Sequence, residues 1–375
     1  MTDGGIVAGR RSTFAVNYTG DYLDETGALA VPDIALDLYA PHPFVRPGFL
    51  TDQSPTPGDT TYWDRLYSLA ITPAHVAASE AIVIFRPWVK ASAFVDGADR
   101  LVVIGRAGAG IDKIDLAACT QADVAVFNAP DTLTHATASS AFLLILALAK
   151  RLTAQEKLVR TARWDLQPHV MGLDLPGKVL GIVGLGASGR ELARLARPWG
   201  MEIIAHSPHA DPAAAAALGV TLVPHRETVF ERADFVSLHN RLDAASRGSI
   251  GAADFARMKR SAYFVNVARG EIVREAELVA ALRDGTIAGA GLDVFEHEPL
   301  PPGHSLLALD NVILTPHWLP STRDAARLTM TSVANGILAA ATGRVPDHVV
   351  NPAVLDRPGF RAKLARFAVN APASS

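Results

Sequence analysis

Three polar side chains come soon after apolar, strand-like segments, and their chemical types suit proton transfer on a small acid. They are Arg269 in Val265-Asn-Val-Ala-Arg-Gly270, Glu298 in Asp293-Val-Phe-Glu-His-Glu298, and His317 in Thr315-Pro-His317. A guanidinium binds a carboxylate through two parallel hydrogen bonds and stays charged, while an imidazole exchanges a proton near neutral pH. Ligands of open α/β sheets bind at the carboxyl ends of strands. These positions are therefore candidates for catalysis, although each side chain alone could be structural and spacing does not show that they meet.

A glycine-rich segment, Gly184-Leu-Gly-Ala-Ser-Gly189, follows a Val- and Ile-rich run and precedes a helical pattern. A dinucleotide-binding turn requires this context of strand, turn and helix. Gly184 would permit the tight turn, Gly186 would let a pyrophosphate approach the backbone, and Gly189 would let the helix pack on the strand. The N–H groups of Ala187 and Ser188 at the helix start would then bind phosphate oxygens.

The position that would contact the adenosine ribose, after the next predicted strand, reads His206-Ser-Pro-His209 and holds no carboxylate. An acid there normally binds the 2′-hydroxyl of NAD, whereas a nearby Arg accommodates the 2′-phosphate of NADP. Ser207 suits either cofactor. The choice between NAD and NADP therefore stays open, with a preference for NAD only because it is more common.

Short Val- and Ile-rich runs alternate with helical periods from about Lys178 to His317, which is typical of a parallel α/β sheet. We predict a doubly wound Rossmann cofactor domain with strands at Val179–Gly184, Glu202–His206, Phe235–His239, Tyr263–Ala268, Gly289–Val294 and Val312–Thr315. A weaker set predicts a smaller, flavodoxin-like parallel α/β substrate domain with strands at Thr13–Tyr18, Ile34–Leu38, Ala81–Phe85, Leu101–Ile104 and Val124–Asn128. The Pro-rich stretch Ala40–Tyr62 predicts a long surface loop, either a connector or a lid.

Composition narrows the class of protein. With 375 residues, of which 49% are hydrophobic, the chain has room for two or three domains and is not intrinsically disordered. Lys and Arg number 35 against 38 Asp and Glu, without a basic block, which argues against nucleic acid or an anionic membrane as partner. The single cysteine, Cys119, fits a reducing compartment. Met1–Arg10 lacks a signal-peptide core and Ala141–Ala149 is too short to span a membrane, so we expect a cytoplasmic protein.

Several segments, in the same order along the chain, resemble the D-isomer-specific 2-hydroxyacid dehydrogenases, the family of phosphoglycerate, glycerate and D-lactate dehydrogenases. The resemblance covers roughly Glu80 to Pro352 and rests on the glycine turn and on Gly105-Arg-Ala-Gly-Ala-Gly-Ile-Asp-Lys-Ile-Asp115, Asn128-Ala-Pro130, Met258-Lys259, Asn266-Val-Ala-Arg-Gly270, Gly289-Ala-Gly-Leu-Asp-Val-Phe-Glu-His-Glu-Pro299 and Asn311-Val-Ile-Leu-Thr-Pro-His317. It implies an NAD(P)-dependent oxidoreductase that interconverts a D-2-hydroxy acid and its 2-keto acid, with no metal site.

The resemblance also implies roles for the candidate residues. Arg269 would bind the substrate carboxylate and 2-oxygen, and His317 would remove the hydroxyl proton as the hydride leaves C2. Glu298 would orient the imidazole and favour its protonated form. The backbone N–H groups near Ala109 and Gly110 would form a second carboxylate anchor.

Further residues are candidates for contact with the substrate or the cofactor. Arg86, after a predicted strand, is a substrate candidate that could equally be a solvated arginine. Asp293 would face the nicotinamide ring, and Val267–Ala268 would line the cofactor. Two of the departures from the family pattern concern the site: Arg241 replaces a Pro and would add a cation near the cofactor, and Trp318 replaces a small residue after the histidine. The indole would either reshape the substrate pocket or pack on a helix.

The expected substrate domain comprises residues 1–128 and 321–375, the expected cofactor domain residues 129–320, and the active site would lie in the cleft. Family members are usually homodimers, so we expect one here, with the apolar helix Ala138–Leu152 as the candidate interface. Two alternatives stay open: an NADH-sensing protein similar to the C-terminal-binding-protein corepressors, and a phosphite-type dehydrogenase.

Overall fold

The computed structural model describes residues 12–31 and 33–371. The chain divides into two compact units, residues 1–133 with 323–375 and residues 134–322. Our prediction for Met1–Arg10 concerns residues outside the described part of the chain.

A five-stranded parallel sheet forms the centre of the first unit. Its strands are β1 (Phe14–Thr19), β2 (Val45–Leu50), β3 (Ala81–Ile84), β4 (Val103–Arg106) and β5 (Ala125–Asn128). Short helices connect them: α1 (Tyr62–Arg65), α2 (Pro73–Ala78) and α3 (Leu116–Gln121). The spatial order β2-β1-β3-β4-β5 is the flavodoxin-like order, so this part of the predicted fold class is confirmed.

Two details predicted for this unit are wrong. Ile34–Leu38 is not a strand, because Leu36–Tyr39 forms a 3-10 helix. The second strand is β2, which lies inside the Pro-rich stretch Ala40–Tyr62 that we predicted as a loop. This strand is at the edge of the sheet and pairs only with β1, with Pro47 opposite Val16. An edge strand tolerates proline because the missing N–H is not needed on its outer side.

The second unit contains a seven-stranded, all-parallel sheet. Its strands are β6 (Val179–Val183), β7 (Glu202–His206), β8 (Val220–Leu222), β9 (Phe235–Leu238), β10 (Tyr263–Asn266), β11 (Gly289–Leu292) and β12 (Val312–Leu314). The order β12-β11-β10-β9-β6-β7-β8 reverses at β6, as in a doubly wound Rossmann sheet. This confirms the predicted cofactor-domain fold. The short edge strand β8 is absent from our prediction.

Helices cover both faces of this sheet. They are α4 (Thr134–Ala149), α5 (Leu152–Arg160), α6 (Ala187–Ala196), α7 (Pro212–Ala217), α8 (Arg226–Arg232), α9 (Ala252–Arg257) and α10 (Glu275–Arg283). One apolar cluster joins Ile145 and Leu192 to the sheet, and a second joins Phe255 and Leu278 to its other face. Burial of the strands on both faces explains why they read as continuous apolar runs.

After the second unit the chain returns to the first. Helix α11 (Arg323–Ala341) and helix α12 (Pro358–Ala365) join the core of the five-stranded sheet. Gly336 of α11 makes room for Phe127, since a Cβ there would lie 2.3 Å from the Phe127 ring. Among the described residues, no helix alone is long and apolar enough to cross a membrane; α4 and α5 meet that test only together, across a 59° bend.

Candidate active site at the carboxyl ends of three strands

His317 and Glu298 form a hydrogen-bonded pair in the second unit. The Nδ1 atom of His317 lies 2.8 Å from Oε2 of Glu298, and the other carboxylate oxygen, Oε1, accepts the backbone N–H of Phe295 at 3.1 Å. The Glu298 side chain is largely buried, with 14% of it exposed, whereas 34% of the His317 side chain is exposed. A carboxylate fixed in this way selects the tautomer with a proton on Nδ1, which leaves Nε2 to exchange a proton with a ligand.

The backbone of His317 is held in an unusual conformation. Its φ of 52° lies in the left-handed region, which a residue with a Cβ rarely occupies without support from its surroundings. Asp293, which is buried, supplies that support: its Oδ1 accepts the Thr315 hydroxyl at 2.6 Å and the backbone N–H groups of Trp318 and Leu319, each at 3.2 Å. The carboxylate therefore organises the turn that presents the imidazole.

Arg269 lies in the turn that follows β10, and a buried asparagine shapes this turn. Asn266 donates from Nδ2 to the carbonyl of Arg269 at 3.0 Å and accepts the N–H of Ala268 at 3.0 Å. The guanidinium donates to the carbonyl of Ala268 at 2.7 Å. We did not single out Asn266 from the sequence, although a polar residue that ends an apolar strand and precedes an arginine is a usable signal.

The sheet places the three candidate residues on adjacent strands. Arg269 follows β10, Glu298 follows β11 and His317 follows β12, and these strands are neighbours in that order. Gly270 allows close approach of the first two segments, because a Cβ at this glycine would lie 1.9 Å from the backbone of Phe295. The structure therefore brings Glu298 and His317 into contact and places Arg269 on the next strand at the same edge.

A second carboxylate supports the loop that carries Glu298. Glu275, at the start of α10, accepts the backbone N–H of Glu296 at 3.1 Å and lies 3.2 Å from Nε2 of His304. Burial raises the pKa of Glu275 above its ordinary value. We did not predict this pair, because α10 and the loop meet only in the folded chain.

The glycine turn has the geometry that a pyrophosphate requires. Gly184 has φ 94°, and a Cβ there would lie 2.5 Å from the backbone of Asn240; a Cβ at Gly189 would lie 2.3 Å from the carbonyl of Gly184. At Gly186, by contrast, a Cβ would face open space. Helix α6 begins at Ala187 without a side-chain cap, so its first N–H groups are available to an anion. These residues fit the diphosphate of a nicotinamide dinucleotide.

His239 adds an unpredicted contact to this turn. It follows β9, and its Nδ1 lies 3.0 Å from the hydroxyl of Ser188 while its Nε2 lies 3.0 Å from the hydroxyl of Ser237. Burial lowers the pKa of His239 to about 4, so the ring is neutral at physiological pH. The ring joins β9 to the first turn of α6 and orients the Ser188 hydroxyl.

The remaining predicted cofactor residues lie after strands of the same sheet. Ser207 directly follows β7 and is half-buried, while Arg241 lies three residues after β9 and is exposed. Val267 is buried and Ala268 half-buried in the turn after β10.

In the first unit, hydrogen bonds occupy three successive carbonyls of the loop after β4. The carbonyls of Gly108, Ala109 and Gly110 accept from Ala129 N, Asn128 Nδ2 and Arg106 Nε at 3.2, 2.8 and 3.0 Å. Among the residues that the structure describes, none accepts from the N–H of Ala109 or Gly110. A loop whose carbonyls are occupied and whose N–H groups are available suits an anion.

Arg86, also in the first unit, follows β3 and pairs with a carboxylate. Its backbone N–H and its Nη1 lie 3.1 and 3.4 Å from Oδ2 of Asp21, which follows β1. The guanidinium stacks over the Phe85 ring at 4.1 Å. Arg86 is therefore an ion-paired, largely buried residue rather than the solvated arginine that we considered as the alternative.

Comparisons with known proteins agree with the sequence motifs and the fold. The model of the D-isomer specific 2-hydroxyacid dehydrogenase NAD binding domain matches residues 142–318. The glyoxylate reductase of Korarchaeum cryptofilum is 38% identical over 271 residues, which are 71% of this chain and 81% of that protein. The D-3-phosphoglycerate dehydrogenase of Methanocaldococcus jannaschii is 40% identical over 257 residues, 68% of this chain but only 49% of that protein.

A solved structure extends the similarity to the whole fold. The TT0316 protein from Thermus thermophilus superposes with a TM-score of 0.75 and 30% identity, over 90% of this chain and 99% of that one. Because the motifs, both sheets and these relatives agree, the chain belongs to the family of D-isomer-specific 2-hydroxyacid dehydrogenases, which confirms the resemblance read from the sequence.

Proposed function

We propose that this protein is an NAD(P)-dependent dehydrogenase that interconverts a D-2-hydroxy acid and its 2-keto acid. The observation that carries the proposal is the 2.8 Å contact between His317 Nδ1 and Glu298, on a strand edge shared with Arg269. This edge belongs to a sheet whose glycine turn fits a dinucleotide.

In the proposed reaction the nicotinamide supplies or accepts the hydride, and this chain's residues handle the substrate and its proton. Arg269 binds the carboxylate and polarises the 2-oxygen, since its charge is permanent. His317 gives a proton from Nε2 to that oxygen in the reductive direction and removes it in the oxidative direction, a contribution of about 10²–10⁴-fold in rate. Glu298 stabilises the imidazolium that forms when the 2-hydroxy acid is oxidised.

Binding of the cofactor is assigned to the glycine turn and the strand ends beside it. The N–H groups of Ala187 and Ser188 bind the diphosphate, Asp293 faces the nicotinamide, and Val267–Ala268 line the dinucleotide. Ser207 contacts the adenosine ribose and no carboxylate follows β7 there. We therefore expect both NADH and NADPH to be accepted, with a modest preference for NADH.

The N–H groups of Ala109 and Gly110 are proposed to bind the substrate carboxylate, with Arg86 near the substrate. We also propose a homodimer. Four large apolar side chains in and after α5 are exposed and would be covered by a second copy: Leu152, Val159, Trp164 and Met171.

The test is the loss of nicotinamide absorbance with NADH and NADPH in parallel, over glyoxylate, hydroxypyruvate, pyruvate and phenylpyruvate, with His317→Ala as control. Turnover that falls by about 10²-fold or more in the variant supports the proposal. Tight NADH binding without turnover of any acid would favour an NADH-sensing protein instead. Oxidation of phosphite in place of the acids would favour a phosphite-type dehydrogenase.

A further inference from the structure

The turn that follows β7 lies directly beside the glycine turn. The N–H of Gly184 donates to the carbonyl of His206, the last residue of β7, at 2.9 Å. The N–H of Ala210 donates to the carbonyl of Ser207 at 3.0 Å and closes a β-turn. We call residues 206–210 the β7 turn. In a doubly wound sheet this position contacts the adenosine ribose, which carries the 2′-hydroxyl of NAD or the 2′-phosphate of NADP.

Three side chains of the β7 turn can still form hydrogen bonds with a ligand. Nδ1 of His206 donates to the carbonyl of Val223 at 3.3 Å, which leaves Nε2 as the ring nitrogen that exchanges a proton. In the described part of the chain, no residue forms a hydrogen bond with that Nε2, with the Ser207 hydroxyl or with the His209 ring. His206 and Ser207 are half-buried, and His209 is exposed. The turn therefore offers two imidazoles and one hydroxyl to an anion.

Two acids follow strands β7 and β8, and each has a structural contact of its own. Asp211 comes directly after the β7 turn, and its Oδ1 accepts the N–H of Ala213 at 3.0 Å as the cap of α7. Glu227, in the first turn of α8, lies near Arg226 and His225. A hydrogen bond from its own backbone N–H holds the pKa of Glu227 below the ordinary value, so this acid stays charged at neutral pH. Neither acid belongs to the β7 turn itself, which contains no carboxylate.

The arginines of the neighbouring helices carry permanent charges, which do not change near neutral pH. Arg190, on α6, donates to the carbonyl of Leu185 at 3.4 Å. Arg226, at the start of α8, pairs with Asp254 at 3.0 Å. His225, which precedes α8, is exposed and is the next imidazole along the chain. Within the β7 turn, the groups that gain charge as the pH falls are therefore the two imidazoles alone.

We propose that His206 and His209 make the choice of cofactor depend on pH: once protonated, their imidazoles bind the 2′-phosphate, so the affinity for NADPH rises relative to that for NADH as the pH falls. Imidazole is the ordinary side chain that gains a proton near neutral pH. In the neutral state the turn offers only hydrogen bonds, which suit either cofactor. The inference rests on the proposed function and adds a regulation of its cofactor site.

The useful pH range is set by the phosphate as well as by the imidazoles. A phosphate monoester loses its second proton at about pH 6, so the 2′-phosphate stays mostly doubly charged down to pH 6.5. Between pH 8 and pH 6.5 the imidazoles therefore gain charge while the phosphate largely keeps its own. One pair of unit charges 4 Å apart in water corresponds to about a fivefold change in affinity. We expect a change of at least this size.

The experiment measures the Kd of NADH and of NADPH for the full-length protein from pH 8 to pH 6.5 at constant ionic strength, from the fluorescence of the bound reduced nicotinamide. The two cofactors differ only in the 2′-phosphate, so the ratio of their Kd values cancels the effects of pH elsewhere in the protein. We expect the ratio of the NADPH Kd to the NADH Kd to fall about fivefold or more over this range. Added salt should reduce the change, because the attraction is electrostatic.

The variant that tests the assignment is His206→Asn combined with His209→Asn. It removes both titrating rings, so the ratio of the two Kd values should no longer depend on pH. His225→Asn is the matched control, since it removes an exposed histidine of the same edge that lies outside the β7 turn. This control should keep the pH dependence of the wild type. If the double variant does not fold, His209→Asn alone changes an exposed position and should still reduce the dependence.

Three results would overturn the inference: a ratio that stays constant in the wild type, a pH dependence that persists in the folded double variant, or a dependence that is lost in the His225→Asn control. Calorimetric titration with adenosine 2′,5′-bisphosphate and with 5′-AMP repeats the comparison without the nicotinamide. The proposed function fails in a different way, as an absence of turnover of every acid, because the inference is read from binding alone.

Discussion

The Oδ1 atom of Asp293 lies 3.2 Å from the backbone nitrogen of Trp318, the residue directly after His317. The same oxygen accepts the hydroxyl of Thr315, two residues before the histidine. Asp293 therefore spans the turn on both sides of the imidazole, and this is consistent with the positive φ of His317. A residue expected only to face the cofactor therefore also shapes the turn that carries His317, the proposed proton-transfer residue.

Removing this support should impair catalysis and stability together. In Asp293→Ala three donors lose their acceptor, so we expect the free energy of unfolding to fall by about 1–3 kcal/mol and kcat to drop. Asp293→Asn keeps an acceptor oxygen and should lose less stability. Denaturant unfolding and steady-state kinetics check both, and equal stability of the alanine variant and the wild type would refute the role.

Glu298→Gln should reduce kcat while leaving the fold intact. The amide keeps an oxygen for the N–H of Phe295 but no longer stabilises a protonated His317, so we expect a decrease of about 10²-fold or more. Glu296→Gln alters an exposed acid in the same loop and is the matched control. Similar kcat values for the two variants would contradict the assignment.

Replacement of two glycines by alanine should impair different properties, stability in one case and cofactor binding in the other. In Gly270→Ala the new Cβ would collide with the backbone of Phe295, so we expect a loss on the order of 3 kcal/mol in unfolding free energy. In Gly186→Ala the Cβ enters open space, so stability should change by about 0.5 kcal/mol or less while NADH binding weakens. Thermal unfolding and titration with NADH distinguish the two. Normal NADH affinity in Gly186→Ala would argue against diphosphate binding at this turn.

His239 should make stability depend on pH in acid. Its pKa of about 4 in the folded protein lies below the ordinary 6.5, so the unfolded chain binds more protons between these values. The contribution of neutral His239 to the free energy of unfolding is complete above pH 6.5 and is lost as the pH falls towards 4. By pH 5 we expect a loss on the order of 1–2 kcal/mol. Between pH 8 and pH 5 the unfolding free energy of the wild type should fall more steeply than that of His239→Gln. Parallel plots of unfolding free energy against pH for the two proteins would contradict the prediction.

Trp318 offers a test of substrate size. Its side chain is 39% exposed and follows the histidine directly. If the indole limits the pocket, Trp318→Ala should raise kcat/KM for phenylpyruvate relative to glyoxylate. Trp164→Ala changes an exposed tryptophan after α5 and should leave that ratio unchanged. An unchanged ratio in Trp318→Ala would mean that the indole only packs.

The central strands of the second unit could be read from the sequence because they are buried on both faces and form apolar runs, as in β6, β9 and β11. Several predicted strands extended one or two residues beyond the C-terminal end of the observed strand. The predicted strand Tyr263–Ala268 is an example, because the turn begins at Asn266. Strand β2 could not be read, because its Pro47 is acceptable only at a sheet edge. The short edge strand β8 has too few residues to form a pattern.

The sequence by itself determined the family, the two parallel sheets and the glycine turn, and it named Arg269, Glu298 and His317 as candidate catalytic residues, because local patterns and motifs carry this information. Only the tertiary structure decided which groups meet. The pairs of Asp21 with Arg86, Asp293 with the His317 turn, and His239 with Ser188 join residues separated by 65, 25 and 51 positions. Such contacts depend on how strands are ordered in the sheet, which no local period encodes.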